Sequence, residues 1–246
     1  MAKPATSKSS ALMHSDFPAS DQSETRSLAD EAEAVIQQAI IEGSLRPASR
    51  LTLPSLELRF GIGATPLREG LSRLAARGLV TMIGNRGFRV SEITPEDLDD
   101  LIVTRSVVEA GALRLSMERR LPEWEDGIVA SMFRLRRVIE AIGGPIKDGN
   151  QEYDRAHKSF HRALIAGCGA VRLRDLQELL YDQAYRYRRI LGSGGLDPRR
   201  ALDEHQRLAD LALGPDVDAG CKAIAEHLLL TKQGIFSAHE RTDKAE

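Results

Sequence analysis

Glycine and proline cut this chain into pieces of helical length. Past Thr94 the breaks fall at Leu121-Pro122, Gly143-Gly144-Pro145, Gly167-Cys168-Gly169, Gly192 to Pro198 and Gly214-Pro215. None of the stretches between them carries a convincing period of two. They predict six helices, at about 95–119, 122–142, 150–167, 171–191, 198–213 and 216–239, with Thr94 as a cap and Pro95 at the first helical position. Residues 94–240 therefore read as an all-helical bundle, large enough to bury its own core.

The region before Thr94 breaks the pattern once. Ala32, Val35, Ile36, Ala39 and Ile40 make one apolar stripe between Ala29 and Glu42. Leu53 to Phe60 is a short second helix with Pro54 in its first turn, and Gly61-Ile62-Gly63 makes a turn. Thr65 is read as the cap of a third helix, with Pro66 following it and Gly78 ending it. Leu79 to Ile83 and Phe88 to Val90 then flank a Gly/Asn turn, the mark of a β-hairpin. Three helices and a hairpin are the layout of a winged helix-turn-helix, here assigned to residues 25–93. Residues 1–24, rich in Ser, Ala, Pro and Lys, read as a disordered tail. The fold class is mainly α.

Charge marks the same region. Between Arg46 and Ser91 stand eight arginines and two acids, a local charge of +6 in a chain whose total is −2. Such a basic segment suggests a polyanion-binding module on an acidic body; a solvated charged surface is the alternative. With 42% hydrophobic residues the 246-residue chain is not disordered as a whole. No apolar run reaches the roughly 18–20 residues of a membrane span, and no leader peptide is evident. Two cysteines, Cys168 and Cys221, exclude a disulfide scaffold. A cytoplasmic protein is expected. Gly61 and Gly63 do not make a nucleotide loop, because the third glycine that motif needs is Pro66.

Four of the six histidines fall in the helical region: His157, His161, His205 and His227. His157 and His161 are one turn apart, so both imidazoles face one way. Taken alone, an HxxxH pair is better explained as a surface pair or a hydrogen-bonded core pair than as a metal site. It is not the zinc-protease motif, which needs Glu after the first His; that position is Lys158. No Ser or Cys has an evident activating partner. The chain is expected not to be an enzyme.

The run AIIEGSLRPASRLTLPSLELRFGIGATPLREGLSRLAARGLVTMIGNRGFRV resembles the DNA-binding domain of GntR-type transcription regulators. The helical remainder, opening DLDDLIVTRSVVEAGALRLSMER with Arg105 and Glu109 four apart, resembles the FCD domain of that family's FadR subgroup. The stretches HKSFHRALIAGCGAVRL and LYDQAYRYR are further similar to the carbon-starvation-induced branch, associated with glutarate and related five-carbon acids. The likeness covers about residues 27–236. Two positions depart from it. The Ser-Arg pair before Thr-Pro in many members is Gly63-Ala64 here, and the Asp four residues before the helix His is His157.

The resemblance implies a homodimeric regulator, expected to be a repressor, that binds a palindromic operator in double-stranded DNA. Arg68 is the candidate base reader, with a surface pair to Glu69 or Glu57 as the alternative; Thr65 is the candidate phosphate contact at a helix start. Arg59 and Arg73 are candidate backbone contacts, and Asn85, Arg86 and Gly87 form the wing tip. The resemblance also implies a divalent transition metal, zinc first and nickel or another first-row ion next, on His157, His161, His205 and His227. Asp154, on the same helix face, would bind the metal or orient His157. A small carboxylic acid, such as a C5 dicarboxylate, would reach the site and meet Arg105. Arg186 and Arg188, among Tyr181, Tyr185 and Tyr187, could take its far end or lie on a solvated face. The alternatives are a helical protein whose metal is purely structural and, behind it, a metal-dependent enzyme.

Overall fold

The structure, a computed structural model, describes residues 27–84, 87–147, 149–191 and 195–243, with side chains as far as residue 232. The tail assigned to residues 1–24 and the wing-tip residues Asn85 and Arg86 lie outside the described residues.

The N-terminal part packs α1 (Leu28–Ile41), α2 (Leu53–Phe60) and α3 (Ala64–Ala76) against a small antiparallel sheet. That sheet is β1 (Arg50–Leu51), β2 (Val80–Met82) and β3 (Phe88–Val90), in the order β1-β3-β2. Ile36, Ile40, Leu56, Leu67, Leu71, Leu74, Leu79 and Val90 fill its core. Ser27 opens α1 with a reciprocal capping box to Asp30. Gly61 ends α2 at φ 68°, a left-handed position that suits glycine. Gly70 lets α3 lie on α1: a Cβ there would sit 2.8 Å from the Glu33 backbone nitrogen.

Two local expectations need correction. The cap of α3 is Gly63, not Thr65, and it makes no side-chain cap bond; Thr65 lies inside the first turn. The helix starts early because Ala64 is a better helix former than the Ser/Thr/Asn-type residues that mark a boundary. Strand β1 was not expected, since two residues carry no readable period; it exists through pairing with β3, Arg50 opposite Arg89.

The helical part is α4 (Pro95–Arg119), α5 (Pro122–Ile142), α6 (Gln151–Ile165), α7 (Val171–Leu191), α8 (Pro198–Leu213) and α9 (Val217–Asp243). The six predicted helices are all present, with α6 running into a 3-10 turn over Ala166–Cys168. Proline stands in the first turn of α4, α5 and α8, where its missing N–H breaks no bond. Trp124, Ile128, Leu135, Phe160, Leu164 and Ile224 lie in the main core, and Trp124 Nε1 donates to the Leu164 carbonyl at 2.9 Å.

The connector between the two parts is pinned by α7. Arg186 donates to the carbonyls of Ser91 (3.1 Å) and Glu92 (3.0 Å). The Tyr187 hydroxyl bonds Asp97. No helix among the described residues is long and apolar enough to cross a membrane.

Candidate functional site

The four bundle histidines meet. His157 and His161 come from α6, His205 from α8 and His227 from α9, and one nitrogen from each lies within 4.8 Å of the others. All four are buried. Ring centroids of His157 and His161 are 4.6 Å apart, and those of His205 and His227 4.8 Å.

On each ring, Nδ1 faces an oxygen. His205 Nδ1 donates to the Ala201 carbonyl at 2.5 Å, and His157 Nδ1 is 2.6 Å from the Tyr181 hydroxyl. His161 Nδ1 stands 3.5 Å from Glu109 Oε2, and His227 Nδ1 3.9 Å from Glu204 Oε2; neither makes a hydrogen bond, so only His157 and His205 are fixed through Nδ1. The donated proton at His205 leaves Nε2 with its lone pair, and that atom is buried without a protein partner, as is His161 Nε2. Buried acceptors left in this way are uncommon. Outer oxygens that turn Nε2 inward are how metal-binding histidines are held.

The donor set fits a first-row ion. Around a tetrahedral ion with metal–nitrogen bonds of about 2.1 Å the nitrogens stand about 3.4 Å apart, so the cluster, whose nitrogens lie within 4.8 Å of one another, has to draw together to hold one. Burial also keeps the rings neutral, as ligands must be. It pushes His205 down to about 3 and holds His157 and His227 well below the usual histidine range, with His161 adding to the shift in each case. His161 is lowered by burial too, against the pull of Glu109.

Asp154 is not part of this cluster. Its carboxylate accepts from Tyr185 and, at 2.5 Å, from Arg188, so the side chain that holds His157 is Tyr181. The sequence placed Asp154 on the right helix face but could not show that α7 brings a phenol and a guanidinium to it.

Of the three candidate effector arginines, two line the same pocket as His157, His161 and His227: Arg105 and Arg188, with Tyr181 and Tyr185. The space between them admits little more than a water molecule. Arg105 is only 4% exposed and gives both Nε (2.8 Å) and Nη2 (2.7 Å) to Glu109 Oε1. Burial alone would raise the Glu109 carboxyl; Arg105 and His161 together outweigh it and hold the group below the usual carboxylate range. Glu109 therefore joins Arg105 to His161, a role its spacing four residues after Arg105 hinted at but did not assign. Arg186 is elsewhere, bound to the connector carbonyls.

On the N-terminal part, Thr65 and Arg68 are exposed on one face of α3, and Arg68 has no side-chain partner among the described residues. The expected alternative, a pair with Glu69 or Glu57, is not formed: Glu69 pairs with Arg73 at 2.5 Å. Arg73 also reaches Asp30 at 2.6 Å, and Arg59 donates to the Ser44 hydroxyl (2.7 Å) and carbonyl (3.2 Å). These two arginines are engaged within the protein, which the count of charges could not reveal. Gly87, at φ 110°, begins the return strand of the hairpin.

Comparison with known proteins follows this division. The family model of the bacterial regulatory proteins of the gntR family matches residues 28–90, and that of the FCD domain matches residues 100–230. The HTH-type transcriptional repressor GlaR of Escherichia coli (strain K12) is 33% identical over 200 residues, 79% of this chain and 89% of that protein. The HTH-type transcriptional regulator BphR of Paraburkholderia xenovorans (strain LB400) is 33% identical over 204 residues, 82% of this chain and 83% of that one. Among solved structures, E. coli McbR/YncC superimposes with a TM-score of 0.68 at 21% identity, covering 89% of this chain and all of that one, a likeness of fold.

Proposed function

Because the chain belongs to the gntR family of bacterial regulatory proteins and joins that DNA-binding domain to an FCD domain, it is a transcription regulator, and we propose that it is a cytoplasmic, homodimeric repressor whose operator affinity is set by a small carboxylic acid at a transition-metal site. The observation that carries the metal and its acid is the ring of four buried imidazoles, with unpartnered nitrogens on His161, His205 and His227, beside the buried Arg105 and the part-buried Arg188. A metal purely for stability would not call for Arg188 in the same pocket.

His157, His161, His205 and His227 would hold the ion, zinc first and nickel or another first-row ion next; bound there, it supplies an electrophilic centre for a carboxylate oxygen. Arg105 and Arg188 supply the matching positive charge, Arg188 being suited to the far end of a diacid such as a C5 dicarboxylate. Since the pocket is tight, the acid has to displace the Asp154 carboxylate from Arg188 or swing Tyr185 aside. On the DNA side, Arg68 would read base edges from the major groove and Thr65 a phosphate, with Asn85, Arg86 and Gly87, the wing tip assigned from the sequence, as the further contacts.

The test is metal analysis of the purified protein joined to a thermal-shift screen of C3–C6 carboxylic acids. Wild type should carry a first-row metal, and a dicarboxylate should raise Tm only when metal is present. His161→Ala should lose the metal and the response. Equal metal content in the two proteins would overturn the site. A response to acids in the metal-free protein would separate effector from metal.

A further inference from the structure

Asp182 on α7 is a buried carboxylate that serves both halves of the molecule, one oxygen to each. Its Oδ1 accepts from Lys158 Nζ at 2.6 Å. Its Oδ2 accepts from Gln37 Nε2 of α1 at 3.0 Å and from Arg77 Nη2, just past the end of α3, at 3.0 Å. Arg77 is tied down further: Nη1 donates to Glu33 at 3.0 Å and to Gln37 at 3.1 Å, and its carbonyl accepts from Gln183 Nε2 at 2.7 Å. The end of α3 is thus gripped by two consecutive residues of α7.

The same stretch of α7 and α6 touches the histidine cluster. Tyr181, the residue before Asp182, meets His157 Nδ1. Lys158 sits between His157 and His161 on α6. It also pairs with Glu178 at 3.3 Å. We propose that Asp182 is the coupling residue that passes the state of the histidine site to α1 and α3 of the DNA-binding domain. This rests on the regulatory reading above and goes beyond it by naming the route.

The physical argument is one of geometry. Drawing the imidazoles together pulls α6 towards α8 and α9 and so shifts it relative to α7, and Lys158 moves with its neighbours. Asp182 cannot follow freely, because Arg77 and Gln37 hold its other oxygen. A small shift in α6 therefore either breaks a charge-assisted bond or drags the end of α3, and packed interfaces answer such shifts in discrete steps. Contact alone would be a weak warrant; here each oxygen of one carboxylate is committed to a different domain.

The experiment compares full-length wild type with Asp182→Asn and Lys158→Met, each stripped with chelator and then given zinc. Zinc affinity, amide hydrogen exchange over residues 33–41 and 73–79, and affinity for DNA selected by wild type from a random pool are read at fixed salt. In wild type, zinc should alter exchange in both segments and change DNA affinity by at least about fivefold. Both variants should bind zinc as wild type does, while the zinc effect on exchange and on DNA affinity disappears. If Asp182→Asn does not fold, Lys158→Met decides, since its loss leaves Asp182 paired with Arg77. Variants that keep the wild-type zinc response would overturn the route. Wild type that binds zinc without any change at DNA would overturn the regulatory reading itself, and the route with it.

Discussion

The histidines carry their chemistry through atoms the sequence does not place together. The convergence of four imidazoles was legible from the family resemblance and from the one-turn spacing of His157 and His161. Their outer partners were not, because one is a backbone carbonyl at Ala201 and the others come from α4, α7 and α8. Burial has a consequence for pH. An unfolded histidine gains its proton near 6.5, whereas His205 in the fold does so only at about 3, and His157, His161 and His227 are likewise lowered. Between those limits the unfolded chain binds more protons, so stability is full above pH 6.5 and is lost as pH falls. Each histidine kept neutral adds a slope of about 1.4 kcal/mol per pH unit. Chelator-treated protein should therefore lose Tm steeply from pH 7 to pH 5, in a range where carboxylates scarcely titrate. A flat profile there would contradict the burial. Arg105 tests the same site by charge. Truncating it to Ala strands Glu109 in the core and should destabilise the protein by about 3–5 kcal/mol, measured by urea unfolding. Loss below about 1 kcal/mol would mean that Glu109 finds another partner.

At the level of elements, the helices were legible because each is punctuated. Thr94 caps α4 through Asp97, Asn150 caps α6 through Tyr153, and proline starts three helices. What failed was the start of α3 and the two-residue β1, where cap chemistry or length gives too little signal. Gly70 shows a different limit. A glycine inside a helix costs about 1 kcal/mol against alanine, and nothing local explains it; only α1 lying across it does. Gly70→Ala should lower the stability of the DNA-binding part, because the added methyl meets backbone and cannot rotate away. Roughly 1–3 kcal/mol is expected, read as early melting of residues 28–90 by hydrogen exchange. Unchanged protection would show that α1 can shift at no cost. On the exposed face of the same helix, Arg68→Ala should erase preference for the selected operator over scrambled DNA while leaving salt-sensitive binding, a loss of about 1–3 kcal/mol per half-site. Retained preference would remove Arg68 as the reader.

For the whole molecule, the charge asymmetry pointed to the right domain and overstated its free charge. Arg73 and Arg77 turn towards α1, and Arg77 on to α7; no count of residues distinguishes a cation that faces DNA from one that binds its own chain. The proposed homodimer leaves a trace of the opposite kind, a feature the single chain does not use. On α4, Val103 and Val107 are 61% and 71% exposed, and Gly111 and Leu115 continue the line at four-residue intervals. A Cβ at Gly111 would meet nothing within 4 Å, so neither packing nor backbone conformation in this chain requires glycine there. Close approach of a second helix would, and a regulator reading a two-fold operator has a second copy of itself to supply that helix. Val107→Arg places a charge in the middle of that stripe without touching the core of the chain. It should turn a dimer into a monomer by sedimentation at micromolar concentration while keeping the bound metal and far-ultraviolet circular dichroism. Operator affinity should fall with it, because one half-site contact is lost, and binding to a single half-site should be unchanged. A Val107→Arg protein that still sediments as a dimer would place the two-fold axis on another face of the bundle.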